Sequence, residues 1–480
     1  MVRRGLGKSL YKNSIYYILY RVINVIYPLV TATYVSRILK PEGVGEIAVA
    51  QTVVIFLVAC ASLGIPNYGV REISKRSTRA ETSILFSELF ITNFISTLII
   101  SVCYYSIVNS TDFIVNKELY NILGIIILLN IINVDWFYQG KEEFKYITLR
   151  SSLIKFLSVF AIFAFVKNEN DIFTYATIFV MAYVGNYLFN IVNLRKYAYF
   201  TLKGVNPKKH LKFVAVLAIT FVSNEVYVTV DTVMLGIMSG NSAVGYYSNA
   251  IKLINIIVNV CSAMGIAVLP KLSRIKYEGE TSKFNVIIKK AIQVLLWFTL
   301  PSMVGLWLTA EYIIAILFGK NFYPSIDIMK ILCLLVLLKS FSNLFLQVLL
   351  SVNKDTAATK VYFSAMIFNI SLNSLLIPIY SGIGAAIASV MSELFICIAL
   401  LIMVKKDLNV KIGKMYIISL SVALISLIIS VKAVGLLQMN QFNQLMISMV
   451  VGAVSYMVVC IIMKNDVVQI LFGRIYNRYL

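Results

Sequence analysis

The sequence predicts an all-α polytopic membrane protein. It should hold about fourteen transmembrane helices in two pseudo-symmetric six-helix lobes plus a C-terminal helix pair, with both termini cytoplasmic. Three observations predict this. Apolar stretches of roughly 20 residues, the length that crosses a bilayer, recur along the whole chain. Basic residues crowd every second gap between those stretches. A short motif recurs about 200 residues later, at the same place in each half. The composition agrees: 59% hydrophobic, 14% charged and a mean hydropathy of +0.84, where a soluble domain is about a quarter charged.

The apolar stretches run 13–38, 43–66, 82–108, 119–138, 146–166, 172–194, 211–238, 243–270, 286–309, 325–350, 357–379, 382–404, 413–435 and 442–463. A backbone in lipid must satisfy its own hydrogen bonds, so these are helices. A membrane barrel would show short alternating strands instead. The first span is interrupted by Arg21 and should bend at Pro28. Its apolar run is too long for a signal segment and no small-residue cleavage site follows, so it reads as a span. Spans 1–6 form a lobe over 1–205 and spans 7–12 a lobe over 206–404, with spans 13 and 14 and the tail over 405–480. The basic stretch around 195–212, containing Gly204 and Pro207, joins the lobes.

Of 43 Lys and Arg residues, 32 fall on one side, from Arg3 and Arg4 through Arg71, Lys141, Arg150 and Arg195 to Arg478. Six fall on the other: Arg37, Lys40, Lys117, Lys167, Lys320 and Lys432. By the positive-inside rule the rich side is cytoplasmic, which fixes both termini there and makes the span number even. The net charge of +21 is then mostly short loops facing anionic headgroups. There is no soluble basic domain of the kind that binds nucleic acid. Cys60, Cys103, Cys261, Cys333, Cys397 and Cys460 lie within spans without a CxxC pair, and His210 is the sole histidine, so no metal cluster or cofactor is expected.

The repeat aligns Val44-Gly45 with Val244-Gly245 and Ala50 with Ala250 at an offset of 200. Ile65-Pro66 aligns with Leu269-Pro270 at 204. Six spans separate the copies, so the two lobes have the same orientation and are related by an axis along the membrane normal, as in parallel-repeat transporters.

Arg21, Lys155, Lys252, Lys330 and Lys339 lie inside spans, as do Glu88, Glu225, Asp231 and Glu393, with Asp135 near a span end. A charge at the bilayer centre costs at least about 2.5–3.5 kcal/mol, so these residues should face water, a partner or a ligand. Near span ends, as for Glu88, Asp135 and Lys330, snorkelling or structural pairing accounts for them. Deeper, two polar faces stand out. Asn249, Lys252, Asn255, Asn259 and Ser262 recur every three or four residues, one face of span 8. Tyr17, Arg21, Asn24 and Pro28 form a similar stripe on span 1. Such stripes line an aqueous cavity or serve as interhelical hydrogen-bonding glue. Cations in a cavity imply an anionic cargo: Arg suits bidentate phosphate contact and Lys acts as a point charge. Arg21 and Lys252 lead, with Lys155 and Lys339 behind them. Asn224 with Asp231, Asn369 with Asn373, and Ser389 with Glu393 each share a helix face. Oxygen ligands of this kind suit Na⁺ or a proton relay.

Several stretches resemble bacterial polysaccharide (O-antigen or capsule repeat-unit) flippases. They are Arg37-Ile-Leu-Lys-Pro-Glu-Gly-Val-Gly-Glu, Ala61-Ser-Leu-Gly-Ile-Pro-Asn-Tyr-Gly-Val-Arg-Glu-Ile and Asp135-Trp-Phe-Tyr-Gln-Gly. Glu143-Phe-Lys-Tyr-Ile-Thr-Leu-Arg, Val230-Asp-Thr-Val-Met-Leu-Gly, Val244-Gly-Tyr-Tyr-Ser-Asn-Ala and Leu269-Pro-Lys-Leu-Ser continue the match over nearly the whole chain. The resemblance implies the fold shared with multidrug-and-toxin exporters and lipid II flippases. It implies translocation of undecaprenyl-diphosphate-linked oligosaccharide across the bacterial inner membrane, coupled to a cation gradient, Na⁺ or H⁺. It further implies membrane lipids and the pathway's polymerase and glycosyltransferases as partners. Two alternatives stay open: a multidrug-type cation antiporter of the same fold, and a membrane-embedded polymerase or glycosyltransferase. A drug-cation exporter would more naturally carry an acidic cavity. A membrane enzyme would present acidic residues on a sizeable external loop, whereas these loops hold about fifteen residues at most and no Asp-x-Asp occurs. ATP hydrolysis would need another subunit, for want of a phosphate-binding Gly-x-x-x-x-Gly-Lys-Ser/Thr loop.

Overall fold

The computed structural model describes residues 2–112, 114–266, 272, 275, 280–352, 354–405 and 410–469. Among these, every regular element is helical. In chain order they are α1 (Val2–Ser62), α2 (Ile65–Ile73), α3 (Arg79–Ser110), α4 (Lys117–Leu129), α5 (Asp135–Gly140), α6 (Phe144–Phe165), α7 (Ile172–Leu194) and α8 (Lys208–Ser239). There follow α9 (Asn241–Ile266), α10 (Thr281–Leu317), α11 (Ser325–Leu332), α12 (Leu334–Ser351), α13 (Asp355–Lys405), α14 (Lys414–Gly435) and α15 (Gln441–Ile462). Nine helical segments among the described residues are long and apolar enough to cross a membrane. Large apolar side chains such as Phe156, Phe160 and Ile429 stand exposed on them, as expected where the solvent is lipid. The chain is a multi-pass membrane protein. It divides into two compact units, Met1–Gly236 and Ile237–Leu480.

In the first unit, α1 carries both of the first two spans. Its backbone breaks at Lys40 (φ 56°, ψ 177°). The cause is local: Pro41 disfavours helical geometry at the residue before it, yet suits the first turn of the helix that follows. In the second unit, Gly240 (φ 82°) separates α8 from α9. The two positive-φ breaks lie 200 residues apart, the offset of the repeated motif. A third break, at Ser381 (φ 50°, ψ −128°), folds α13 into two halves after Pro378.

The fourth predicted span, 119–138, is not one helix. It ends as α4 at Leu129, passes through a 3₁₀ turn over Asn130–Ile132 and restarts as the short α5. Asn130 causes the interruption. It is fully buried, and its amide reaches Ser62 at 3.1 Å and Thr97 at 3.3 Å. Its carbonyl accepts from Asn93 at 2.7 Å instead of continuing the helix. α2 and α5 then cross closely. A Cβ on Gly69 would stand 2.3 Å from the Trp136 ring, and one on Gly140 would stand 2.8 Å from Ile73. Around this crossing lies an aromatic core of Tyr68, Phe86, Trp136, Phe137 and Tyr138.

In the second unit, α14 and α15 pack on each other and on α10. Their shared core is Trp297, Tyr416, Leu420, Leu427, Tyr456 and Cys460. The Tyr416 hydroxyl donates to the Gln293 carbonyl at 2.6 Å, and that of Tyr456 to the Trp297 carbonyl at 2.9 Å. Each buried phenol thereby finds an acceptor, as buried tyrosines require.

Candidate functional site

Lys155 sits on α6, half-buried. Its ammonium donates to the side chain of Asn24 on α1. It lies 5.4 Å from the ring centre of Tyr27 and 6.0 Å from that of Tyr20. Ser158, one turn on, donates to the Tyr27 hydroxyl at 3.1 Å, and the Asn24 amide is held by the Tyr20 carbonyl at 2.8 Å. Among the described residues Lys155 has no carboxylate partner. Two cation–π contacts contribute about 1–2 kcal/mol each at most. That roughly offsets the cost of a charge at this depth and leaves its sign unneutralised. The arrangement is one cation in a polar and aromatic frame, with no carboxylate against it among the described residues.

This joins the span 1 stripe to Lys155, a convergence that spacing within one helix cannot reveal. Asn24 belongs to the stripe, and Tyr20 stands one turn before it on the same helix. The backbone of Arg21 lies in α1, but its side chain is outside the described residues, as is that of Asn224 on α8.

In the second unit the α9 stripe divides. Asn249 is fully buried, and Ser262 accepts from Asn343 of α12 at 2.8 Å. Between them Lys252 and Asn259 are exposed and Asn255 half-exposed. None of these three has a hydrogen-bond or ion-pair partner among the described residues. Interhelical hydrogen bonding accounts for Ser262, and it does not account for the three middle residues among the described ones. Lys339, half-buried on α12, stands one turn before Asn343 on the same face; it too has no ion-pair partner among the described residues. The packing of α12 on α9 brings it to the stripe.

The expected ion ligands occupy buried positions. Asp231 on α8 is 7% exposed and Glu393 on α13 is 3% exposed. Asn373 donates to Asn369 at 3.0 Å, both fully buried on the first half of α13. On its second half, Ser389 lies 2.9 Å from the Tyr247 hydroxyl. Ring contact between Phe368 and Phe395 at 5.6 Å holds the two halves together.

One residue departs from the charge count. Arg150, tallied with the loop cations, is buried inside α6. Its guanidinium donates to Asn186 at 3.1 Å, to Asn190 and to Asp135 at 3.0 Å. Asn190 also donates to Asp135, and the Tyr146 ring lies 5.6 Å from the guanidinium. The charge count placed it outside because a cation four residues into a span looks like a flanking one. The signal that identifies it is Asp135 on one side and the Asn186/Asn190 pair, four apart, on the other. Glu88 is likewise paired rather than snorkelling, with Lys209 at 2.6 Å and His210 at 2.8 Å. Lys330 lies 5.8 Å from the Trp307 ring.

Residues 10–276 match the family described as "Polysaccharide biosynthesis protein", and 217–375 match the family described as "MatE". A relative in Escherichia coli (strain K12), described as "Putative O-antigen transporter", is 25% identical over 413 residues, 83% of this chain and 97% of its own length. One in Shigella dysenteriae with the same description is 25% identical over 412 residues, 82% of this chain and the whole of the relative. Among solved structures, the lipid II flippase MurJ in an inward closed conformation aligns with a TM-score of 0.78 at 18% identity, covering 95% of this chain and 100% of that one. An inward-facing multidrug resistance MATE family transporter aligns at 0.62 and 14% identity, covering 81% and 98%. These likenesses establish the fold.

Proposed function

The chain belongs to the polysaccharide biosynthesis protein family, and from that premise we propose that it is a flippase for lipid-linked oligosaccharide. Its substrate class is a polyprenyl (undecaprenyl) diphosphate carrying an oligosaccharide repeat unit, moved from the inner to the outer leaflet of a bacterial cell membrane. The observation that carries the proposal is the set of unneutralised cations inside the spans. Lys155 is framed by Asn24, Tyr20 and Tyr27, and Lys252 stands with Asn255 and Asn259. A diphosphate supplies the missing negative charge, and the amides and phenols suit sugar hydroxyls. Arg21 and Lys252 are the leading candidates to take the diphosphate, with Lys155 in the first unit and Lys339 in the second as the next candidates. Asn224 and Asp231 in the first unit, and Asn373 and Glu393 in the second, are the candidate ligands of the coupling Na⁺ or H⁺, and alternating access drives the exchange. The partners are membrane lipids and the polymerase and glycosyltransferases of the same pathway; the chain itself transfers no group. A MatE-type drug antiporter is the second reading, favoured by the match over 217–375 and opposed by the sign of the charges.

Replacing Arg21 and Lys252 together by Gln, with expression matched, should abolish polymer export in cells that depend on this chain. Export at the wild-type level would remove both residues from the mechanism.

A further inference from the structure

The segment after α7 is a strap laid along α3. The Arg79 guanidinium donates to the Arg195 carbonyl at 2.7 Å. The Tyr199 N–H donates to Ser83 Oγ at 3.1 Å, and the Thr201 N–H to Ser87 Oγ at 2.9 Å. The register has a simple cause. Two residues of extended chain rise about 6.6 Å, and four residues of helix rise about 6 Å. Serines four apart on a helix therefore meet amides two apart on a strap. Phe200 adds a ring contact to Phe90 at 5.8 Å.

The strap ends at Glu88, fully buried on α3. Its carboxylate accepts from the Asn206 N–H at 2.9 Å, Lys209 Nζ at 2.6 Å and His210 Nε2 at 2.8 Å. Nδ1 of His210 lies 2.7 Å from the Tyr68 hydroxyl of α2. α8 begins at Lys208. A carboxylate at its start faces the positive end of the helix dipole. The proposed transport cycle uses neither Glu88 nor His210.

We infer that Glu88 is a positioning residue that, through His210 and the strap, keeps the start of α8 fixed to α3 throughout transport. α8 carries Asp231, so the clasp sets the place of a coupling residue from a distance. The inference rests on the flippase reading. It separates from that reading through a test that needs no transport.

In the purified full-length protein, Glu88→Ala should raise trypsin cleavage at Lys203 and Lys209 at least tenfold over wild type; unchanged cleavage overturns the clasp. In reconstituted vesicles, Ser87→Cys with Thr201→Cys, mildly oxidised, should translocate lipid-linked oligosaccharide within twofold of oxidised wild type. Wild type is the control for the native cysteines. Loss on oxidation that reductant reverses would mean that the strap must leave α3, and it overturns the inference. Adding the same bridge to Glu88→Ala should restore at least half the lost transport when oxidised. A bridge that forms without rescue assigns Glu88 some other role and contradicts the proposal. Should Glu88→Ala not fold, the bridge in the wild-type background decides alone. Wild type without any translocation would instead count against the flippase reading and leave the trypsin result standing.

Discussion

Arg150 donates to three side chains on α5 and α7, and its removal would strand the charge of Asp135. Breaking a buried pair on one side costs about 3–5 kcal/mol. Asp135 keeps 32% of its side chain exposed, so the low end, about 3 kcal/mol, is expected for Arg150→Met. The melting temperature in detergent should fall by several degrees, and Asp135→Asn in the same chain should recover part of it. A melting temperature equal to wild type would show that the network holds nothing together. Lys155 is the contrasting case: a cation with amide and ring neighbours and no counter-ion among the described residues. The two are five residues apart on one helix, and spacing alone gave no means of separating them. What separates them is tertiary: Arg150 faces Asp135, Asn186 and Asn190, whereas Lys155 faces Asn24 and the tyrosines of α1. Residue roles were therefore the least legible level, since they depend on which helix lies opposite.

The helices themselves were far more legible, because apolar length and proline position act locally. Apart from the fourth, the fourteen stretches are helical over nearly all their described residues, including the pairs that run together across Lys40 and Ser381. The break between α4 and α5 was not legible, since it depends on Asn130 finding Ser62, Thr97 and Asn93 on other helices. The tight return of α13 can be tested at Gly384. A Cβ there would stand 2.3 Å from the Leu376 carbonyl oxygen, which is backbone and cannot move aside. Gly384→Ala should therefore lower the yield of folded protein and its melting temperature. Gly305→Ala, where nothing lies within 4 Å, should be neutral or slightly stabilising, as alanine favours helix by about 1 kcal/mol over glycine. Equal behaviour of the two variants would contradict the close packing of the α13 halves.

At the scale of the whole molecule, the basic residues divide by task. Those in short loops are expected to set orientation by the positive-inside rule, Arg150 pairs with Asp135 inside its unit, and Arg21, Lys155, Lys252 and Lys339 are proposed to supply charge for a cargo. Buried carboxylates at Asp231 and Glu393 are proposed to couple transport to a cation. Asp231→Asn and Glu393→Gln should each flatten the dependence of transport on a Na⁺ or H⁺ gradient while leaving substrate binding within a few fold. Normal gradient dependence in both would rule the site out. The most direct test of the central claim, that cations within the spans receive a lipid diphosphate, is translocation in vesicles holding only this protein and a fluorescent polyprenyl-diphosphate oligosaccharide. Wild type should move it between leaflets and a neutral glycolipid analogue should not follow, while Arg21→Gln, Lys155→Gln and Lys252→Gln combined should stop it. Equal movement of charged and neutral lipids, or undiminished movement by the triple variant, would contradict the account.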